Sequence, residues 1–127
     1  MIRYRYAPHL SPPAPFVNVA LHCPQTGGRA ANLPAQIDTA ADRTVLPGPV
    51  VRSLGLVEDG RMPFQGFAGD VVELPIFLVE IQVHDRPAAA VRAVLGEREP
   101  HILLGRDVLK ALRILLDGPQ GVLEIEP

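Results

Sequence analysis

Cysteine, tryptophan and long apolar runs are scarce in this chain of 127 residues. A single cysteine, Cys23, excludes an intrachain disulfide, and a structural zinc site would need other ligands. Aromatic residues make up only 5% of the chain, so the core must be built from Val, Leu, Ile and Ala. No run approaches the roughly 20 apolar residues that span a bilayer, and no membrane partner is predicted. The N-terminal stretch lacks a basic region followed by an apolar segment, so a cytoplasmic protein is expected.

An excess of basic charge is also missing. Twelve basic residues face fourteen acidic ones, for a formal charge of -2, so the chain lacks the basic surface typical of a nucleic-acid partner. The four histidines, His9, His22, His84 and His101, are scattered without the spacing of metal ligands. Neither a metal nor a cofactor is predicted. With 47% hydrophobic residues, a chain of this length is expected to fold as one globular domain.

Proline and glycine, by contrast, are plentiful, with fourteen and eleven copies at short intervals. This spacing favours many short strands over long helices. Strands are expected at residues 16–22, 30–37, 88–95 and 102–104, with a long hairpin over 62–85 and a terminal hairpin around 117–121. One short helix is expected within residues 46–56 and another at 106–112. The fold class is therefore mostly β, with an N-terminal arm at residues 1–15 and a single domain at 16–127.

The stretch "AQIDTAADRTVLP" places two carboxylates among unusually small residues. An apolar strand enters Asp38, then Thr39, Ala40 and Ala41 lead to Asp42, and an apolar run follows. Asp38 is either the cap of a short helix or a catalytic carboxylate.

A second motif, "QGFAGD", joins two apolar stretches of the long hairpin. Its two glycines can take positive φ, which suits the tip of a hairpin. A hairpin with such a tip can act as a mobile flap over a binding cleft. The predicted flap residues are Gly66, Phe67, Ala68 and Gly69.

A third motif, "ILLGRDVL", predicts a short buried strand with Leu103 and Leu104, then Gly105, then a helix that begins at Arg106. With "IDTAAD" and "FQGFAGD" before it, in that order over most of the chain, the sequence resembles the retropepsin-like aspartic proteases. This is the fold of retroviral proteases and their bacterial relatives. The resemblance implies a closed, single-domain β-barrel with one or two short helices, in which residues 103–105 pack under the loop that carries Asp38.

The resemblance also implies that Asp38 is the catalytic carboxylate of an aspartic endopeptidase. Peptide hydrolysis needs a base to activate water and an acid to protonate the carbonyl oxygen. Two carboxylates about 3 Å apart share one proton and can supply both. Because the chain carries one such motif, the second carboxylate must come from another copy, and a homodimer is expected. The implied partners are therefore a second copy and an extended peptide or protein substrate.

The neighbours of Asp38 acquire supporting roles by the same resemblance. Thr39 is expected to form a hydrogen bond across the twofold axis. Asp42 and Arg106 are either an ion pair that braces the loop or two unrelated surface charges. Ala40 stands where the family usually has glycine, and its Cβ costs little only if φ is negative. Two alternatives stay open: a non-catalytic peptide-binding or dimerisation module on this fold, and an unrelated small β-barrel in which Asp38 only caps a helix.

Overall fold

The computed structural model describes residues 1–65 and 68–127. Within them the chain forms ten strands and two short helices. The strands are β1 (Ile2–Arg5), β2 (Phe16–His22), β3 (Arg29–Ile37), β4 (Val45–Pro47), β5 (Glu58–Gln65), β6 (Val71–Val83), β7 (Ala89–Gly96), β8 (Ile102–Leu104), β9 (Ile114–Asp117) and β10 (Val122–Ile125). The helices are α1 (Gly48–Ser53) and α2 (Arg106–Leu109).

Six of these strands close into a barrel. Their order is β2-β3-β8-β4-β7-β6, and β6 pairs back with β2, which completes the ring. β5 pairs with the first half of β6, before the residues of β6 that pair with β2. The pairings β3–β8 and β4–β7 are parallel, whereas the others are antiparallel. The prediction of a mostly β, closed barrel with two short helices is confirmed.

Aliphatic side chains fill the interior, as the low aromatic content requires. β2 buries Val17, Val19 and Leu21 and exposes Asn18 between them. This alternation is what a strand shows when one face lies on the core and the other in water. In the part of the chain that the structure describes, Thr44 is the one polar side chain buried in this core.

A second sheet, of three strands in the order β1-β10-β9, packs against the barrel. Leu123 and Ile125 of β10 join the same buried cluster as the barrel residues. The predicted terminal hairpin is present as β9 and β10. β1 was not predicted, and it pairs antiparallel with β10 from within the N-terminal arm. The division into an arm at residues 1–15 and a domain at 16–127 stays a prediction.

The ends of the helices follow the local sequence. α1 begins directly after Pro47 and ends before Gly55, which has a φ of +63°. α2 ends at Leu109, short of the predicted end at Leu112. The chain continues there with turn hydrogen bonds, such as Leu112 amide to Leu109 carbonyl at 3.0 Å. The spacing of the apolar residues thus predicted which side of this segment is buried, but it did not predict where the helix ends. No helix in residues 1–65 and 68–127 is long and apolar enough to cross a membrane.

Candidate active site

Asp38 follows the last residue of β3 and lies beside the end of β8. Its amide donates a hydrogen bond to the carbonyl oxygen of Leu104 at 3.0 Å. Its carboxylate Oδ1 accepts from the amide of Ala40 at 3.2 Å, and its carbonyl oxygen accepts from the amide of Ala41 at 3.3 Å. These local bonds hold the half-exposed carboxylate at the start of a turn. Asp38 caps no helix, since α1 begins only at Gly48, so the capping alternative is wrong.

Arg106, the first residue of α2, binds the same loop through two groups. Its amide donates to the carbonyl oxygen of Ala41 at 2.9 Å, and its guanidinium Nη1 donates to that of Thr39 at 2.8 Å. Asp42 is exposed and forms no ion pair with Arg106 among the described contacts. The ion-pair alternative is therefore wrong. The Arg106 guanidinium instead donates to the Thr39 carbonyl oxygen, whose position is fixed by the loop. The exposed Asp42 carboxylate remains hydrated, because an exposed ion pair would stabilise it little.

Thr44 and Asp107 form a hydrogen-bond cluster that sequence analysis missed. The Thr44 hydroxyl donates to Asp107 Oδ1 at 2.7 Å, and the Thr44 amide donates to Oδ2 at 2.9 Å. The amide of Gly105 donates to the Thr44 hydroxyl at 3.2 Å, and that of Val108 donates to Asp107 Oδ1 at 2.9 Å. This Thr44–Asp107 cluster ties the end of the Asp38 loop to the first turn of α2. The sequence feature that could have indicated this cluster is a threonine directly before the apolar run "VLP".

Gly105 lies close against the backbone of Arg43 and Thr44. A Cβ at this position would be 2.5 Å from the carbonyl carbon of Arg43 and 2.9 Å from the amide nitrogen of Thr44. Such contacts exclude any side chain without a backbone shift. Leu104, before it, is 0% exposed, and the half-buried Leu103 pairs with Val45 of β4. Residues 103–105 thus lie beside the loop, and their part in catalysis stays a prediction.

Ala40 has a backbone conformation that an L residue adopts readily. Among the described non-glycine residues, positive φ is confined to Asn32 and His84. Ala40 is also exposed, so its Cβ is not pressed into the core. The alanine in place of the family's usual glycine therefore causes no left-handed backbone strain.

The predicted flap residues lie in the sequence between β5 and β6, which pair antiparallel from Gln65 opposite Val71 to Glu58 opposite Phe77. Ala68 and Gly69 are exposed, and Gly69 has a φ of +85°, as a glycine at a turn can adopt. Gly66 and Phe67 lie outside the described residues. In residues 1–65 and 68–127, no group of three or more His, Cys, Asp or Glu side chains is placed to hold a metal ion.

Comparison with known proteins relates these features to a family. A family profile described as gag-polyprotein putative aspartyl protease matches residues 27–111. The matched segment contains the Asp38 loop, the β5–β6 hairpin and α2. No curated protein matches the chain significantly.

Several solved structures share the fold. A retropepsin-like aspartic protease from Rickettsia conorii superposes with a TM-score of 0.63 at 12% identity, over 96% of this chain and 86% of that one. The EIAV protease complexed with the inhibitor HBY-793 gives 0.52 at 24% identity, over 77% and 86%. The retroviral protease-like domain of Ddi1 from Leishmania major gives 0.50 at 16% identity, over 87% and 88%. At these identities the similarity establishes the fold.

Proposed function

The chain belongs to the family of gag-polyprotein putative aspartyl proteases, and we propose that it is a homodimeric aspartic endopeptidase. In this proposal Asp38 of each protomer lies beside a twofold axis, and the pair activates one water molecule. The ionised carboxylate takes a proton from the water as it attacks the peptide carbonyl carbon. The protonated carboxylate donates its proton to the carbonyl oxygen. The substrate is an extended peptide or protein segment.

The proposal is supported by two groups of the Asp38 loop that have no hydrogen-bond partner among the described residues. Backbone groups of Asp38, Ala40 and Ala41 and the Thr39 carbonyl are bonded within the protomer. Asp38 Oδ2 and the Thr39 hydroxyl have no hydrogen-bond partner among the described residues, and Thr39 is exposed. An unpaired carboxylate oxygen beside an unpaired hydroxyl, on a braced loop, suits contact with the same two groups of a second copy.

The β5–β6 hairpin supports the substrate part of the proposal, as a flap that closes over the bound peptide and excludes water. Val71 and Val72, at the start of β6, are 66% and 51% exposed. Because successive side chains of a strand point to opposite faces, a peptide bound under the hairpin would cover one of the two and remove its apolar surface from water, at about 25 cal/mol per Å². Apolar side chains flanking the cleaved bond are therefore the expected preference.

The test is the variant Asp38→Asn, assayed with an unfolded protein substrate from acidic to neutral pH. Asparagine keeps the shape of the side chain but cannot serve as the base, so cleavage should fall by roughly a hundredfold or more. Folding and dimer mass in sedimentation should be unchanged. Asp42→Asn, in the same loop, is the matched control and should keep the chemistry. Wild-type activity should favour mild acid, because the mechanism needs one protonated carboxylate.

Full cleavage by Asp38→Asn, in a preparation free of contaminating protease, would contradict the proposal. So would a strict monomer at all concentrations, since one protomer supplies one carboxylate. The alternative, a non-catalytic peptide-binding or dimerisation module, predicts a wild-type dimer that binds peptides and cleaves none of them. The sequence feature that favoured this alternative was Ala40 in place of glycine. The backbone of Ala40 carries no left-handed strain, so this support is removed.

A further inference from the structure

A groove lined by charged side chains begins at the end of the Asp38 loop. It consists of two adjoining depressions of about 390 Å³ each, which share Arg43, Asp107 and Lys110 in their walls. Small side chains, Ala90 and Ala111 among them, leave its surface open. We call it the basic groove. Its charged residues are Asp42, Arg43, Arg92, Arg106, Asp107 and Lys110.

Charge in the basic groove is opposite in sign to that of the whole chain. Four cationic side chains face two carboxylates there, whereas the chain has a formal charge of -2. Asp107 is occupied by its hydrogen bonds from Thr44 and the Val108 amide. Arg92 is paired with Asp59, with Nε and Oδ2 2.8 Å apart.

Two cations of the groove remain available to a ligand. Arg43 and Lys110 have no acidic partner among residues 1–65 and 68–127. Arg43 makes one long contact, from Nη1 to the carbonyl oxygen of Arg92 at 3.5 Å. A carboxylate between Arg43 and Lys110 would accept charge-assisted hydrogen bonds from both.

We propose that the basic groove binds acidic side chains of the substrate, on the flank of the cleaved bond. This inference rests on the proposed function. Arg106 joins the two sites, because its guanidinium binds the carbonyl of Thr39, the residue next to Asp38. Because Asp42 and Arg43 of the same loop also line the groove, a peptide held across Asp38 can reach it. In a twofold dimer each flank of the peptide meets one such groove, so the substrate class is a peptide with an apolar centre and acidic flanks.

The experiment measures peptide binding to the Asp38→Asn protein by fluorescence anisotropy. Three peptides share one apolar centre and carry Glu, Gln or Lys on both flanks. The Glu peptide should bind roughly threefold to tenfold more tightly than the Gln peptide, and added salt should reduce this difference. Arg43→Gln and Lys110→Gln should each remove much of it. Arg98→Gln is the matched control, since Arg98 is exposed, lies outside the groove and has no ion-pair partner among the described residues.

Each contrary outcome identifies what has failed. Equal binding of the Glu and Gln peptides, or an equal loss in Arg98→Gln, overturns the groove assignment. Cleavage of the Gln peptide by the wild type would then leave the proposed function standing. If the wild type cleaves none of the peptides, the proposed function is contradicted. The groove assignment is still decided by the relative affinities of the Glu and Gln peptides, which are measured without cleavage. Tighter binding of a single-stranded oligonucleotide than of the Glu peptide would make the groove a nucleic-acid site and overturn the proposal.

If Asp38→Asn does not fold, wild-type kinetics carry the test. The Glu peptide should then have a KM roughly threefold to tenfold lower than the Gln peptide at similar kcat, because the groove contacts substrate away from the reacting bond. Lys110→Gln should raise KM for the Glu peptide by a larger factor than KM for the Gln peptide, whereas Arg98→Gln should raise neither. Equal KM values for the two peptides would overturn the proposal.

Discussion

Replacing Thr44 by valine would remove one hydroxyl from the Thr44–Asp107 cluster and keep the shape of the side chain. The side chain is 0% exposed. Its hydroxyl donates to Asp107 at 2.7 Å and accepts from the Gly105 amide at 3.2 Å. Valine therefore leaves a buried amide and a carboxylate oxygen each without one partner. Such losses cost about 1–3 kcal/mol each, and because water can reach the half-buried Asp107, we expect about 2–3 kcal/mol in total.

Thermal or urea unfolding of Thr44→Val measures this loss, at one fixed protein concentration because the stability of the proposed dimer would depend on concentration. The expected loss lowers Tm by roughly 6–12 °C in a domain of this size. Thr26→Val is the matched control, since Thr26 is exposed and the hydrogen bonds of its hydroxyl to the Leu54 carbonyl and from the Gly28 amide are long, at 3.4 and 3.3 Å. It should cost less than about 1 kcal/mol. A Thr44→Val protein as stable as the Thr26→Val protein would refute the claim that this cluster holds the loop.

Two further substitutions test the backbone around Asp38. Gly105→Ala should lower the free energy of unfolding by about 2–3 kcal/mol, because its Cβ would lie 2.5 Å from the Arg43 carbonyl carbon. Gly118→Ala, with nothing within 4 Å, is the control and should be neutral or slightly stabilising in the same denaturation assay. Ala40→Gly should lower the free energy of unfolding by roughly 0.5–1 kcal/mol through chain entropy and leave peptide cleavage nearly unchanged. A large rise in cleavage would show that the alanine obstructs the site.

The barrel strands were predictable where their side chains alternate or form a short apolar run. β8 lies at the predicted residues. It was predictable because a short apolar run between a polar loop and a glycine is typical of a buried strand. β4 was not predicted, since its three residues have no period and end in Pro47. β1 was missed because its partner lies at the other end of the chain, with Ile2 opposite Ile125. Pairing at that distance leaves no local signal in the sequence.

The position of Asp38 at a strand end followed from its motif, but its supporting contacts did not. Thr44 and Asp107 are 63 residues apart in the chain, so only the fold reveals that they meet. The alternatives for Asp42 and Arg106 show a related limit. A sequence displays charges, but not the carbonyl oxygen that competes for a guanidinium. Here the fixed carbonyl of Thr39 binds Arg106 while Asp42 stays in water.

The register of β3 against β8 determines where Asp38 lies. The two strands are parallel, with Ile37 opposite Leu104, so the residues that follow, Asp38 and Gly105, leave the sheet side by side. Ile102 and Leu104 are 2% and 0% exposed. A slip of one residue would turn both side chains out of the core and carry the Leu104 carbonyl away from the Asp38 amide. Burying one such side chain is worth about 1.5–3 kcal/mol, more than the roughly 1 kcal/mol net of the single backbone hydrogen bond that the same register creates. Packing of apolar side chains in the barrel, more than any charge at the site, therefore places the carboxylate on which the proposed chemistry depends.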